Sequence, residues 1–240
     1  MPAPPRSRGP SSMCHPHPGP HDLRYRWTVP SDSASTTEPT PPKPGQIVLV
    51  RHGETAWSLT GQHTGTTDLP LTANGEEQAR SVGRALEGRR FSQVITSPRI
   101  RARRTAELIG YGDQAVVDPN LAEWDYGAYE GLTSAEIVAE RGPWNLWRDG
   151  VPAGATPGEN NAEVQARALK VLARVRADVH AGSDVLLVAH GHILRALAAA
   201  WLELPPTGGQ IFSLATSTMS ALGYEHDAPV ILLWNAPAAS

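Results

Sequence analysis

Short aliphatic runs recur along the chain from residue 47 onward. The first reads Ile-Val-Leu-Val and has the unbroken apolar character of a strand that is buried on both faces. We predict strands at residues 47–50, 94–96, 116–117, 185–188, 219–224 and 230–234. Their shortness is typical of strands in a buried sheet.

Segments with helical periodicity lie between these runs. Apolar residues fall at helical spacing over about 72–88 and over 159–180, and the segment after Gly191 is apolar on nearly all sides. Ser97 and Pro98 offer a capping hydroxyl and a proline for the first helical position, so a helix is predicted to begin there. This alternation predicts an α/β fold, a single three-layer domain with a mostly parallel central sheet and helices on both faces.

Composition divides the chain into two parts. Residues 1–44 contain 12 of the 22 prolines and few aliphatic residues, so we expect a disordered tail. His15, His17 and His21 lie in that tail without an ordered frame or a fourth ligand, and we assign them no metal. Residues 45–236 are long enough to enclose one sizeable core and are predicted to form one domain.

Charge and cysteine content narrow the class of protein. A formal net charge of −3 argues against a general binder of polyanions, so nucleic acid is not an expected partner. No apolar run has the length of a membrane span, and the single Cys14 cannot form an internal disulfide. We therefore expect a protein of the reducing cytoplasm, with no membrane partner.

Polar residues follow the predicted strands. Arg51 and His52 come directly after the first run, Arg101 and Glu123 follow the next two, and His190 follows the run at 185–188. Ligands of open α/β sheets bind beyond the carboxyl ends of the strands, so these side chains are expected to meet there. Each alone has a plain structural explanation, as a surface arginine, a solvated glutamate or a buried histidine. Their arrival together favours a functional site.

Phosphoryl transfer is the chemistry that fits these residue types. A phosphate ester carries nearly two negative charges near pH 7, and Arg51 and Arg101 offer planar, bidentate donors for its oxygens. His52 is the predicted nucleophile, because a neutral imidazole nitrogen attacks phosphorus and the phosphoramidate is readily hydrolysed. His190 would donate to the transferring group, while Glu123 would protonate the leaving oxygen and later take a proton from water.

Four motifs resemble those of the histidine phosphatase, or phosphoglycerate mutase-like, superfamily. They are Arg51-His52-Gly53-Glu54, Ser97-Pro98-Arg99-Ile100-Arg101-Ala102, Leu121-Ala122-Glu123 and His190-Gly191. Their order and spacing agree with the family's, which makes the resemblance specific. The resemblance implies that His52 is phosphorylated and that Glu123 is the proton donor. It also implies a phosphate pocket that contains Arg51, Arg101 and His190.

The resemblance extends to residues on the substrate side of the pocket. Thr64 and Gly65 match family positions that line it, and Ser58 is a candidate beside them. Gly53 and Gly191, next to His52 and His190, are expected to leave the backbone free to approach the phosphate. Further motifs look most like those of sedoheptulose-bisphosphatase-like and acid phosphatase members. The implied substrate is a small phosphorylated metabolite, a sugar phosphate or bisphosphate, hydrolysed without a cofactor or a metal. The following residues either contact substrate or anchor local structure: Trp144, Trp147, Arg148 and His192.

Two other functions stay open on sequence grounds. A cofactor-dependent phosphoglycerate mutase would return the phosphoryl group to a second hydroxyl of its substrate. Against it, Ser58 follows Trp57 where mutases of the family usually have Asn, and the interval from Glu123 to His190 lacks their longer lid-forming insertion. Residues 142–158 are a candidate for a partial cover only. An inactive binding module on the same fold is the other alternative, although every reactive group is present. The natural substrate and the oligomeric state are not determined by the sequence.

Overall fold

The computed structural model describes residues 44–238. Its strands are β1 (Ile47–Arg51), β2 (Gln93–Thr96), β3 (Ala115–Val117), β4 (Val185–Ala189), β5 (Thr218–Glu225) and β6 (Ala228–Pro237). Its α-helices are α1 (Ala56–Thr60), α2 (Ala73–Ala85), α3 (Ile100–Leu108), α4 (Ser134–Arg141), α5 (Leu146–Asp149), α6 (Asn161–His180) and α7 (Gly191–Trp201). The predicted tail lies outside the described residues, apart from its last position.

All six strands belong to one sheet, in the order β3-β2-β4-β1-β5-β6. The four strands from β3 to β1 are parallel, whereas β5 and β6 are antiparallel to their neighbours. The antiparallel pair follows from the short connection between β5 and β6, which has no room for a crossover helix. The predicted α/β fold with a mostly parallel sheet is confirmed.

Each face of the sheet carries its own apolar core, because alternate side chains of a strand point to opposite faces. On one face the strand residues pack with α2 and α3 and are Val48, Val50, Val94, Leu186 and Val188. On the other face they pack with α6 and α7 and are Ile47, Leu49, Ile95, Val185 and Leu187. The central strands therefore have no polar face, which is why their sequences read as unbroken aliphatic runs.

Helix α3 begins later than the sequence predicted. Ser97 and Pro98 precede it, and the helix starts at Ile100, whose amide donates to the Asp68 carboxylate at 2.8 Å. The Ser97 hydroxyl accepts the amide of Arg99 at 3.3 Å, ahead of the helix, and also lies 2.6 Å from a ring nitrogen of His190. The amide of the first helical residue is bound by the Asp68 carboxylate from a distant loop. Because the helix begins at Ile100, Arg101 lies in its first turn. A helix that began at Pro98 would have placed Arg101 about one turn from its start.

The other predicted helices agree closely with the structure. Thr72 caps α2 by accepting the amide of Gly75, and Asn160 caps α6 in the same way through Ala162 and Glu163. Among residues 44–238, no helix combines the length and the apolar character that crossing a bilayer requires.

Candidate active site

The register between β1 and β4 brings two histidines together. Arg51 pairs with Ala189, so the next residues, His52 and His190, leave the sheet side by side. The His52 amide donates to the Ala189 carbonyl at 2.9 Å, and the two imidazole centroids are 5.0 Å apart. The predicted meeting of these side chains beyond the strand ends is therefore present in the structure.

His52 presents one ring nitrogen without a proton. Its Nδ1 lies 2.7 Å from the carbonyl of Gly53, and because a carbonyl only accepts, Nδ1 carries the proton and Nε2 keeps its lone pair. Burial, followed by the nearby charges of Arg101 and Arg51, holds the pKa of His52 well below its usual value of 6.5. The ring is therefore neutral at pH 7, as attack on phosphorus requires.

Arg51 supplies positive charge at the wall of a cavity. Its Nη1 donates to the carbonyl of Leu214, while its buried Nε has no hydrogen-bond partner in the described part of the chain. A buried guanidinium donor without a partner is costly, and an anion in the adjacent cavity would satisfy it. The position agrees with the predicted contact to phosphate.

Arg101 is fully buried and is held mainly by the protein itself. Its guanidinium donates to the carbonyls of Thr64 and Thr67, both at 2.9 Å, and more weakly to that of Gly65 at 3.3 Å. Its Nε donates to Nδ1 of His190 at 3.1 Å. Few of its N–H groups are left for a ligand, so Arg101 is not placed to bind phosphate in a bidentate way. It contributes its positive charge and orients His190.

His190 is also buried and neutral. Its Nδ1 accepts from Arg101, so the proton lies on Nε2, 2.6 Å from the hydroxyl of Ser97. Burial is the largest cause of a pKa well below 6.5, with the charge of Arg101 next. Sequence analysis predicted only a capping role for Ser97 and missed its contact with His190, because the two residues are 93 positions apart.

Glu123 accepts three backbone amides, two of them at the start of α7. Oε1 accepts from Trp124 and Ile193, both at 2.9 Å, and Oε2 accepts from His192 at 3.0 Å. The carboxylate therefore lies at the positive end of the α7 dipole. Because Oε2 has one amide partner where Oε1 has two, Oε2 is the oxygen with room for a proton.

A cavity of about 250 Å³ joins these groups. It is lined by Arg51, His52, Thr55, Ser58, Gly61, Gln62, His63, Thr64, Glu123, Tyr126, Ser134, Gly191, His192, Arg195 and Leu214. Of the predicted substrate-side residues, Thr64, Ser58 and Gly191 line it. Arg101 and His190 lie behind its wall. The pocket is thus polar and basic, with one carboxylate.

Two predicted glycines have a packing role instead. Gly65 does not line the cavity, since its amide donates to the Glu130 carboxylate at 3.0 Å and a Cβ there would lie 2.3 Å from the carbonyl of Trp124. At Gly53, a Cβ would lie 2.3 Å from the carbonyl of Gly75 in α2. Both positions need glycine because two backbone segments touch, and not to admit a phosphate.

The residues left open by the sequence divide into two groups. His192 lines the cavity, and its Nδ1 lies 2.6 Å from the hydroxyl of Tyr126. Trp144, Trp147 and Arg148 do not line it. Trp147 is buried against Trp124, while Arg148 is exposed and pairs with Asp149. The tryptophans therefore anchor the loop, and the alternative of substrate contact holds only for His192.

Several cavity residues were not predicted at all. They are Thr55, Gly61, Gln62, His63, Tyr126, Ser134, Arg195 and Leu214. Arg195 had a usable signal, because it is a lone charge in the otherwise apolar helix after Gly191. Its Nε donates to the carbonyl of Gly209 at 3.0 Å, and its guanidinium lies 5.0 Å from the ring of Trp147. Most of the others are common polar residues whose position depends on loop packing.

Comparisons with known proteins agree with this geometry. The sequence profile of the histidine phosphatase superfamily (branch 1) matches residues 47–237. The chain belongs to this superfamily. The predicted family and its class of reaction, hydrolysis of phosphoric monoesters, are thereby confirmed. Individual residue roles stay predictions.

Curated relatives carry three kinds of name. An acid phosphatase of Mycobacterium tuberculosis is 41% identical over 183 residues, covering 75% of this chain and 87% of the relative. A sedoheptulose 1,7-bisphosphatase of Saccharomyces cerevisiae is 38% identical over 189 residues, covering 66% of this chain and 68% of the relative. A probable phosphoglycerate mutase of Photorhabdus laumondii is 35% identical over 185 residues, covering 75% and 86%.

Solved structures share the fold. The product of an open reading frame of Mycobacterium tuberculosis has a TM-score of 0.75 at 38% identity, covering 81% of this chain and 99% of that one. The similarity therefore extends over the whole described sheet and its helices.

The buried histidines predict how stability depends on pH. The pKa values of His52, His190 and His192 all lie well below 6.5, with burial as the main cause. Below pH 6.5 the unfolded chain therefore binds more protons than the folded one. The free energy of unfolding should fall as pH decreases from 6.5 to 5, by at most about 1.4 kcal/mol per pH unit for each histidine. Urea unfolding between pH 7.5 and 5 measures this slope.

His52→Gln is the matched variant, because it removes one titrating ring and keeps a polar side chain of similar size. Its slope should be shallower than that of the wild type. A free energy of unfolding that stays constant between pH 7 and 5 would contradict the prediction.

Proposed function

We propose that this protein hydrolyses small phosphomonoesters through a phosphohistidine on His52. The observation that carries the proposal is the free Nε2 of a neutral His52 on the wall of a cavity shared with Arg51 and Glu123. The nucleophile, a cation for the phosphate and an acid for the leaving group thus face one small volume. No metal takes part in this scheme, since the charge of the phosphate is balanced by arginines.

The reaction has two displacements on phosphorus. In the first, the lone pair of His52 Nε2 forms a P–N bond while the ester P–O bond breaks, and the departing alkoxide takes a proton from Glu123. In the second, water attacks the phosphorus and gives a proton to Glu123. The P–N bond breaks, and its electron pair returns to Nε2 of His52. Inorganic phosphate leaves, and both residues regain their starting state.

Sugar phosphates and sugar bisphosphates are the proposed substrates. Hydroxyls, an amide and imidazoles line the part of the cavity around Ser58, Gln62 and His63, and these groups suit the hydroxyls of a polyol. Arg195 adds a second positive charge on the wall, which favours a second phosphate or another anionic group. The names of the relatives, an acid phosphatase and a sedoheptulose bisphosphatase, support the same class.

A mutase is the alternative, since one relative is named a probable phosphoglycerate mutase. A mutase must exclude water while its intermediate turns over in the pocket. None of residues 142–158, the segment considered as a partial lid, lines the cavity. Hydrolysis is therefore the favoured outcome.

We further propose that the enzyme works in the cytoplasm, on a free metabolite.

The nucleophile is tested first. His52→Ala should reduce turnover of p-nitrophenyl phosphate to background, because it removes the atom that bonds to phosphorus. Rapid quench with 32P-labelled substrate should find acid-labile, base-stable label on His52 of the wild type. His180→Ala, an exposed histidine beside Tyr224, is the control and should keep full activity. Label on another residue type, or none, would exclude the mechanism.

The acid is tested through the leaving group. Glu123→Gln should lower kcat for a sugar phosphate by about 10²- to 10³-fold, because an alkoxide needs a proton to depart. For p-nitrophenyl phosphate the loss should be under about tenfold, since the aryl oxide needs little protonation. Glu140→Gln changes an exposed glutamate and is the matched control. Equal losses on both substrates would show that Glu123 is not the proton donor.

Hydrolase and mutase are separated in one reaction. 3-Phosphoglycerate is incubated with catalytic 2,3-bisphosphoglycerate in the presence of EDTA, and 2-phosphoglycerate and free phosphate are followed together. We expect no rapid isomerisation. In parallel reactions with sugar phosphates, we expect phosphate to be released at a rate that EDTA does not reduce. Fast isomerisation with negligible phosphate release would identify a mutase. Loss of activity in EDTA, restored by one metal, would overturn metal independence.

A further inference from the structure

Thr105 lies in the second turn of α3, buried directly behind the nucleophile. Its side chain is fully shielded from solvent and makes two hydrogen bonds. The hydroxyl donates to the carbonyl of Arg101 at 2.8 Å, one helical turn back. The same oxygen accepts the amide of Gly53 at 3.2 Å. Thr105 therefore connects the helix that carries Arg101 to the backbone that follows His52.

The direction of both hydrogen bonds is fixed by chemistry. A carbonyl only accepts, so the hydroxyl proton of Thr105 must point at Arg101. An amide only donates, so a lone pair of the same oxygen must face Gly53. Valine has nearly the shape of threonine but can do neither, whereas serine can do both. The pair of substitutions therefore separates the hydroxyl from the volume of the side chain.

Gly53 is the residue through which this contact reaches His52. Its carbonyl accepts the Nδ1 proton of His52 at 2.7 Å, and that contact leaves Nε2 bare. A glycine has a wide choice of backbone angles, so its peptide groups keep one orientation only where hydrogen bonds or packing hold them. Gly75 packs against one side of Gly53, and the Thr105 hydroxyl holds its amide.

We propose that Thr105 is a positioning residue for the nucleophile. It fixes the Gly53 backbone and thereby keeps His52 in the tautomer that has its proton on Nδ1 and a bare Nε2. The inference rests on the proposed phosphohistidine mechanism. Thr105 does not line the cavity, and its hydroxyl reaches the backbone beside His52 through the amide of Gly53. Its loss should slow formation of the P–N bond and leave substrate binding nearly unchanged.

The test compares Thr105→Val with Thr105→Ser, using p-nitrophenyl phosphate as substrate and inorganic phosphate as inhibitor. Thr105→Val should lower kcat by about 10- to 100-fold, because a displaced nucleophile reacts slowly. KM and the inhibition constant of phosphate should change by less than about threefold, since Arg51 and Arg195 are untouched. Thr105→Ser should stay within about threefold of the wild type. Thr105→Ala is made in parallel and serves the same comparison if the valine variant is insoluble.

Ring 15N NMR of His52 gives a readout that a loss of stability alone would not change. The wild type should show one neutral tautomer, with the proton on Nδ1, and the hydroxyl-free variant should show a mixture of both. Tyr111→Phe is the control: it removes a buried hydroxyl that bonds to Leu86 and Arg89, away from the cavity. It should lower stability without changing kcat or the His52 tautomer.

Three results would overturn the inference. The first is a hydroxyl-free variant with a kcat within twofold of the wild type and an unchanged tautomer. The second is an equal loss of kcat in Thr105→Ser, and the third is a rise in the phosphate inhibition constant that matches the loss of kcat. Either of the last two would indicate general disruption of the pocket. If the wild type forms no phosphohistidine in the quench experiment, the proposed function fails, independently of Thr105.

Discussion

The parallel pairing of β1 with β4 is the interaction on which the site depends. Arg51 lies opposite Ala189, and so the residues after both strands leave the sheet next to each other. A slip of one residue would turn every side chain of β1 to the other face and would separate His52 from His190. The two aliphatic cores oppose such a slip, because each would then contain the residues of the other. The apolar sheet thus sets the distance between the reactive groups.

Placing positive groups together in a buried volume is unfavourable, and the fold reduces that cost in two ways. The pKa values of the buried histidines are lowered, so they contribute no further positive charge at pH 7. Arg101 is surrounded by carbonyl oxygens. Nε of Arg51, one of the buried donors without a partner among the described residues, belongs to a side chain that lines the cavity where the proposed phosphate would bind. Protein stability and phosphate affinity are therefore linked at this point.

Backbone contacts behind the cavity explain glycines that the sequence alone associates with ligand binding. Gly53 and Gly65 occur within or near the motifs of the family, yet each allows two backbone segments to touch. The same close packing brings Thr105 within reach of the Gly53 amide. A glycine in such a motif therefore indicates close packing of the backbone segments around the site. In this protein we infer that this packing orients the proposed nucleophile.

The sequence alone determined the fold class and the strands, and it predicted which five residues meet beyond the strand ends. Buried strands produce aliphatic runs, and reactive groups follow such runs directly, so both signals are local in the chain. The tertiary structure decided the start of α3, the Ser97–His190 contact, and the entry of His63, Tyr126 and Arg195 into the cavity. These depend on loops whose course is set by packing against residues far away in sequence. Local sequence patterns do not identify these distant hydrogen-bond partners, because the hydrogen bonds form only once the sheet has brought the segments together.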